Sequence, residues 1–170
     1  MTASESKSTT DNPTLTAEEI GKRFLKLIEG LESRQSLSLE HVQEVTELTL
    51  EPSENASFFG YSQGLDEGWF YTFTYIPEAP PVKKGIGLDF EHRGNSFSDM
   101  TSVCGLDFDY YHNALKAMGY RDVPIYGEIG ELRSWRYYKD DITLSIIPQN
   151  VVAGEAGRLC VKSIGTLNGR

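Results

Sequence analysis

TSVCGLDFDYYHNALKAMG, residues 101–119, decides the fold. Leu106, Tyr110, Ala114 and Met118 recur at every fourth position, and Tyr111 and Leu115 widen the stripe, so the spacing predicts an amphipathic helix lying on an apolar floor. Asp107 is placed to cap the first free N–H groups, Asp109 sits in the first turn, and Gly119 offers a left-handed residue at the end. The segments on either side alternate as strands do, which makes the floor a sheet.

Upstream, Thr16 followed by Glu19 reads as a capping box that opens a helix through Ser33. Ile20, Phe24, Leu27, Ile28 and Leu31 form its apolar face, and burying each large side chain contributes roughly 1.5–3 kcal/mol. The interior Gly21 costs about 1 kcal/mol against alanine unless it permits close packing. Ser38 starts a shorter helix as a lone cap, with Leu39, Val42, Val45 and Thr46 inward. Residues 56–62 and 68–76 read as an aromatic hairpin joined through QGLDEG, and GIGLDFEH, residues 85–92, as a third strand. After the central helix, residues 120–131 read as irregular, RSWRYY and ITLSII as a second hairpin ended by Pro148, and RLCVKSI as a last strand.

The expected class is α+β: about six mainly antiparallel strands packed with N-terminal helices and one central helix. A polar tail is expected over residues 1–15, one domain over 16–165, and a short tail over 166–170.

A chain of 170 residues with 39% hydrophobic content can bury one core. Its 25 acidic and 16 basic residues give a net charge of −9, which disfavours nucleic acid and anionic membranes and suits a basic protein partner. Cys104 and Cys160 are too few for a disulfide scaffold; free thiols are expected, Cys160 lying in the apolar LCV. Without an apolar leader or a span-length segment, the expected location is the cytoplasm.

No catalytic, metal or cofactor motif stands out, so the reading is not an enzyme. His41, His92 and His112 lack a spaced partner, and the glycines of YSQGLDEG, KKGIGLD and VAGEAG read as turn residues. The expected protein-binding residues are the hairpin-turn carboxylates Asp66 and Glu67 with the adjoining Trp69, the outward Asp89 and Glu91, and Trp135 with Arg136.

The opening TAEEIGKRFLKLIEGLESRQSLSLEHVQEVTELTL, the strands around GWFYTFTY and the helix DFDYYHNALKAMGY resemble small acidic α+β immunity proteins of bacterial interbacterial toxin systems. The resemblance implies tight one-to-one occlusion of a cognate toxin in the cytoplasm, and it transfers no individual residue. A homodimeric secretion chaperone holding an extended effector segment is the second reading, and an enzyme of small metabolites the third.

Overall fold

The computed structural model describes residues 12–149 and 159–167. Most of the polar tail, the loop VAGEAG and the last three residues therefore lie outside the described residues.

Helix α1, Ala17–Glu29, opens on the expected capping box: the Glu19 N–H donates to the Thr16 hydroxyl at 3.1 Å and the Thr16 N–H to the Glu19 carboxylate at 2.9 Å. Its expected face is buried throughout, from Ile20 to Leu31. Helix α2, Leu39–Thr46, is capped by Ser38 alone, whose hydroxyl accepts from the His41 N–H at 3.1 Å. Strands β1 (Glu51–Pro52), β2 (Phe59–Gly64), β3 (Trp69–Ile76) and β4 (Gly85–His92) follow. Helix α3, Phe108–Ala117, then precedes β5 (Arg121–Tyr126), β6 (Leu132–Lys139), β7 (Ile142–Gln149) and β8 (Cys160–Thr166).

All eight strands join one antiparallel sheet in the order β1-β2-β3-β4-β8-β7-β6-β5. Two four-stranded runs meet at the central β4–β8 ladder, and α3 carries the chain from the middle of the sheet to its far edge. Trp69, Tyr71, Phe73 and Tyr75 of β3, opposite Phe90, Leu88 and Ile86 of β4, point to the helices and are buried. Phe24 of α1 meets Phe73 edge-on at 5.8 Å between centroids, which fixes α1 over the sheet centre. Arg34, 4% exposed, braces the end of this layer: its backbone N–H donates to the Asp141 carboxylate at 3.0 Å, and its guanidinium donates to the Leu167 carbonyl at 2.7 Å.

Four expectations are corrected. Among the described residues there are eight strands rather than about six, because β1 and β5 contain Pro52 and Pro124 and occupy the two edges, where a missing N–H is tolerated. Pro148 does not end its strand: β7 continues to Gln149 through a bulge at Ile147/Pro148. The buried face of α3 is Phe108, Tyr111 and Leu115, whereas Tyr110 is 45% exposed. Asp107 caps that helix through the Tyr110 N–H at 3.0 Å, so Leu106 lies before the first turn and does not set its face. Finally, Cys104 and Cys160 are not free thiols but a disulfide, because α3 enters over β8: the Phe108 N–H donates to the Leu159 carbonyl at 2.8 Å beside the bond.

The domain also reaches further than expected at both ends. Asn12 exchanges hydrogen bonds with Thr49, and Leu15 is buried with its N–H on the Gln63 side chain at 3.0 Å. Thr166 belongs to β8, and the Leu167 N–H donates to the Thr143 carbonyl at 2.9 Å.

Candidate functional site

The sheet carries its described helices on one face, and the other face is where the expected binding residues are to be tested. Ladder register puts Glu51, Gly60, Thr74, Gly87, Gly165, Ser145, Arg136 and Val123 in one row across all eight strands on that face. The middle of the row is nearly free of side chains. A Cβ on Gly165 would stand 2.9 Å from the Ile86 carbonyl oxygen, so glycine is required there for the strands to keep their spacing. The result is a shallow cavity of about 300 Å³ bordered by Thr74, Ile76, Asp89, Ser145, Ile147 and Ser163.

Asp89 is the charged group of this floor. Register places it between Thr72 and Ser163, and its carboxyl is held above the usual carboxylate range mainly by burial, with a smaller upward push from Glu91 and opposing help from the Ser163 hydroxyl and Lys162. Glu91, two residues along β4 and exposed, stands opposite Phe70. Asp66 and Glu67 form a short 3-10 turn between β2 and β3, with Glu67 left-handed at φ 61°. The turn is tied to the end of β4: the Arg93 N–H donates to the Gly68 carbonyl at 2.9 Å, and the His92 ring nitrogen lies 2.9 Å from the Glu67 carbonyl oxygen. Asp66, Glu67 and Glu91 thus lie at the end of the sheet where β3 begins and β4 ends, the turn carboxylates beside Thr16, Asp99 and Ser102, whereas Asp89 lies mid-strand, two residues from Glu91 on the uncovered face.

The other three do not join them. Trp69 is fully buried, its indole N–H donating to the Asp99 carbonyl at 2.8 Å, so its ring is core and presents no surface. Trp135 faces the helix layer, 5.2 Å from both the Phe108 and His112 rings. Arg136 does lie on the uncovered face, but three strand steps from Asp89, about 15 Å at ordinary strand spacing. Its Nε is buried and has no hydrogen-bond partner.

Sequence reading missed a polar cluster beneath α3. Asp122 accepts from the Trp135 indole N–H at 3.1 Å and from Lys116 at 3.1 Å, and the His112 Nδ1 lies 2.8 Å from the Tyr137 hydroxyl. The Trp135 bond, then Lys116, hold the Asp122 carboxyl below its usual range; burial pushes the Tyr137 hydroxyl up. These contacts tie α3 to β5 and β6, with the His112 Nε2 3.9 Å from the Asp122 carboxylate. The signal was the i, i+4 pair His112 and Lys116 facing a following Asp, which only the α3–β5 turn brings together.

Among the described residues, no three His, Cys, Asp or Glu side chains gather to hold a metal, and no helix is long and apolar enough to cross a membrane. The chain matches no protein-family model, no curated protein and no solved structure.

Proposed function

We propose that the chain is a binding protein that occludes a basic partner with the acidic end of its sheet, in the manner of a toxin-immunity protein. The carrying observation is the pair Asp89 and Glu91 on the uncovered side of β4, with the exposed carboxylates Asp66 and Glu67 in a turn tied to the end of the same strand, in a chain of net charge −9. Carboxylates displayed this way steer a basic surface into contact and reject acidic ones. Phe70 beside Glu91 adds apolar area, and Arg93 lies over its ring at 5.0 Å.

The expected cytoplasmic location and the Cys104–Cys160 bond point to different compartments, because such bonds persist where the surroundings are oxidising. Alkylation of cells before lysis, followed by intact-mass measurement, distinguishes an oxidised resident from a reduced one.

The test of function is co-purification under native conditions, followed by calorimetry and a growth-protection assay with the recovered protein. One basic protein at unit stoichiometry whose toxicity is suppressed supports the reading. Recovery of several unrelated extended segments would replace it with the chaperone reading, and recovery of an acidic partner would overturn the charge argument.

A further inference from the structure

Helix α3 has a second apolar stripe that the core covers only in part, Ala114 and Met118 being half-buried against it and Tyr110 exposed. Tyr110, Ala114 and Met118 follow one another at helical spacing, yet the buried face is Phe108, Tyr111 and Leu115. This second stripe lines a cleft of about 610 Å³ against Leu25 of α1. That volume is within the range of small-molecule sites. A helix about 10 Å across fills on the order of 400 Å³ per turn, so the cleft would seat little more than one turn of a partner helix.

The rim has the opposite charge to the rest of the chain. Lys22, Lys26 and Lys139 border the cleft against Glu29 alone, although acidic residues outnumber basic ones 25 to 16 overall. Lys22 is paired with Glu18 at 2.9 Å, and Lys139 donates to the Met118 carbonyl at 2.8 Å with its ammonium 5.5 Å from the centre of the Tyr120 ring, which holds this cation at the cleft edge. Lys26, exposed and one turn beyond Lys22, forms no ion pair among the described residues. An apolar trough with cations at its lip fits a ligand with a chain and an anionic head.

We propose that the α1–α3 cleft binds a free long-chain carboxylate, the acyl chain lying along Leu25, Ala114 and Met118 and the carboxylate held by Lys26 with Lys139. This site is separate from the acidic end of the sheet and does not depend on the partner reading.

The test is calorimetry of the full chain with octanoate, decanoate and dodecanoate below their micelle concentrations. Saturable one-to-one binding should tighten roughly fourfold per added methylene until the cleft is filled. Lys26→Glu should weaken dodecanoate at least fivefold while Lys26→Arg retains it, and Ala114→Trp should abolish binding with an unchanged circular dichroism spectrum. If Ala114→Trp fails to fold, protection of the Tyr110 and Met118 signals by dodecanoate in NMR of the unaltered chain reads the same point. No saturable binding, equal binding of dodecyltrimethylammonium, a folded Ala114→Trp that binds normally, or binding to phosphatidylglycerol vesicles without binding free dodecanoate would each overturn the assignment.

Discussion

The hydroxyl of Tyr111 on α3 stands where a Cβ on Gly21 of α1 would be, and Leu106 closes the same space at 2.8 Å. Helix propensity alone favours Gly21→Ala by about 1 kcal/mol. Overpacking against a fully buried ring opposes it by roughly 1–3 kcal/mol, and the clash involves a tyrosine held on all sides. Gly21→Ala should therefore destabilise the protein, by about 1–2 kcal/mol net in urea unfolding. Adding Tyr111→Phe should recover part of the loss. A more stable Gly21→Ala would show that α1 and α3 do not meet this closely.

The disulfide makes a second prediction. Its cysteines are 56 residues apart and link the approach to α3 with the first residue of β8. Closing a loop of that length removes chain entropy worth about 4 kcal/mol in the simple loop model, an upper figure for the effect. Replacing both cysteines by serine should lower the unfolding midpoint while leaving the far-ultraviolet spectrum folded, because the Phe108–Leu159 hydrogen bond and the surrounding core remain. Equal stability of the oxidised and reduced chains would mean that the bond is not formed.

Two aspartates should give the pH–stability curve two arms of opposite sign. Asp122 is held low, so it contributes stability that is complete above the unfolded carboxyl value near 3.9 and is lost as pH falls through its folded value. Asp89 is held high, so the folded chain takes up its proton first, and stability rises as pH falls through that raised value toward about 3.9. Asp122→Ala should cost about 1–3 kcal/mol at pH 7, because it leaves the Trp135 N–H unpaired, and should flatten the arm below pH 4. Asp89→Asn should gain on the order of 0.5 kcal/mol at pH 7 and flatten the other arm. Urea titrations at several pH values read both, and a shared sign would refute the assignment.

The helix caps and the α+β class were legible because each depends on neighbours in sequence: Thr16 with Glu19, Asp107 with Tyr110, and the strands through their alternation. What escaped depends on position in the sheet. Pro148 read as the end of a strand and residues 120–131 as irregular, yet Pro52 and Pro124 sit at the two edges and Pro148 at a bulge, and only the strand order reveals that their missing N–H groups interrupt no ladder. The α3 stripe was misassigned for a related reason: two apolar faces overlap on it, and sequence does not say which one meets the sheet. The candidate site was half legible. Alternation set Asp89 and Glu91 away from the helices, whereas Trp69, expected at the interface, is a core residue because its face of β3 is the one the helices cover.

That distinction separates core from surface in the proposed interface. Trp69→Ala should cost roughly 3–5 kcal/mol, through the cavity and the lost bond to Asp99. Any loss of partner binding in that variant reports unfolding.

The informative substitution is the double reversal Asp66→Lys with Glu67→Lys. Both residues are exposed in the turn, and each reversal adds two charges, which moves the net charge from −9 to −5. Stability should stay within about 0.5 kcal/mol, since Glu67 contributes its carbonyl rather than its carboxylate to the contact with His92. Binding to a basic partner should weaken chiefly through slower association, an effect that shrinks as salt rises because the charges are exposed. Measured at low and at physiological salt, a folded double variant with unchanged association rate, affinity and protection would remove this turn from the interface. Loss of binding with the fold intact, deepened by adding Glu91→Lys on the neighbouring strand, would locate the contact at this end of the sheet.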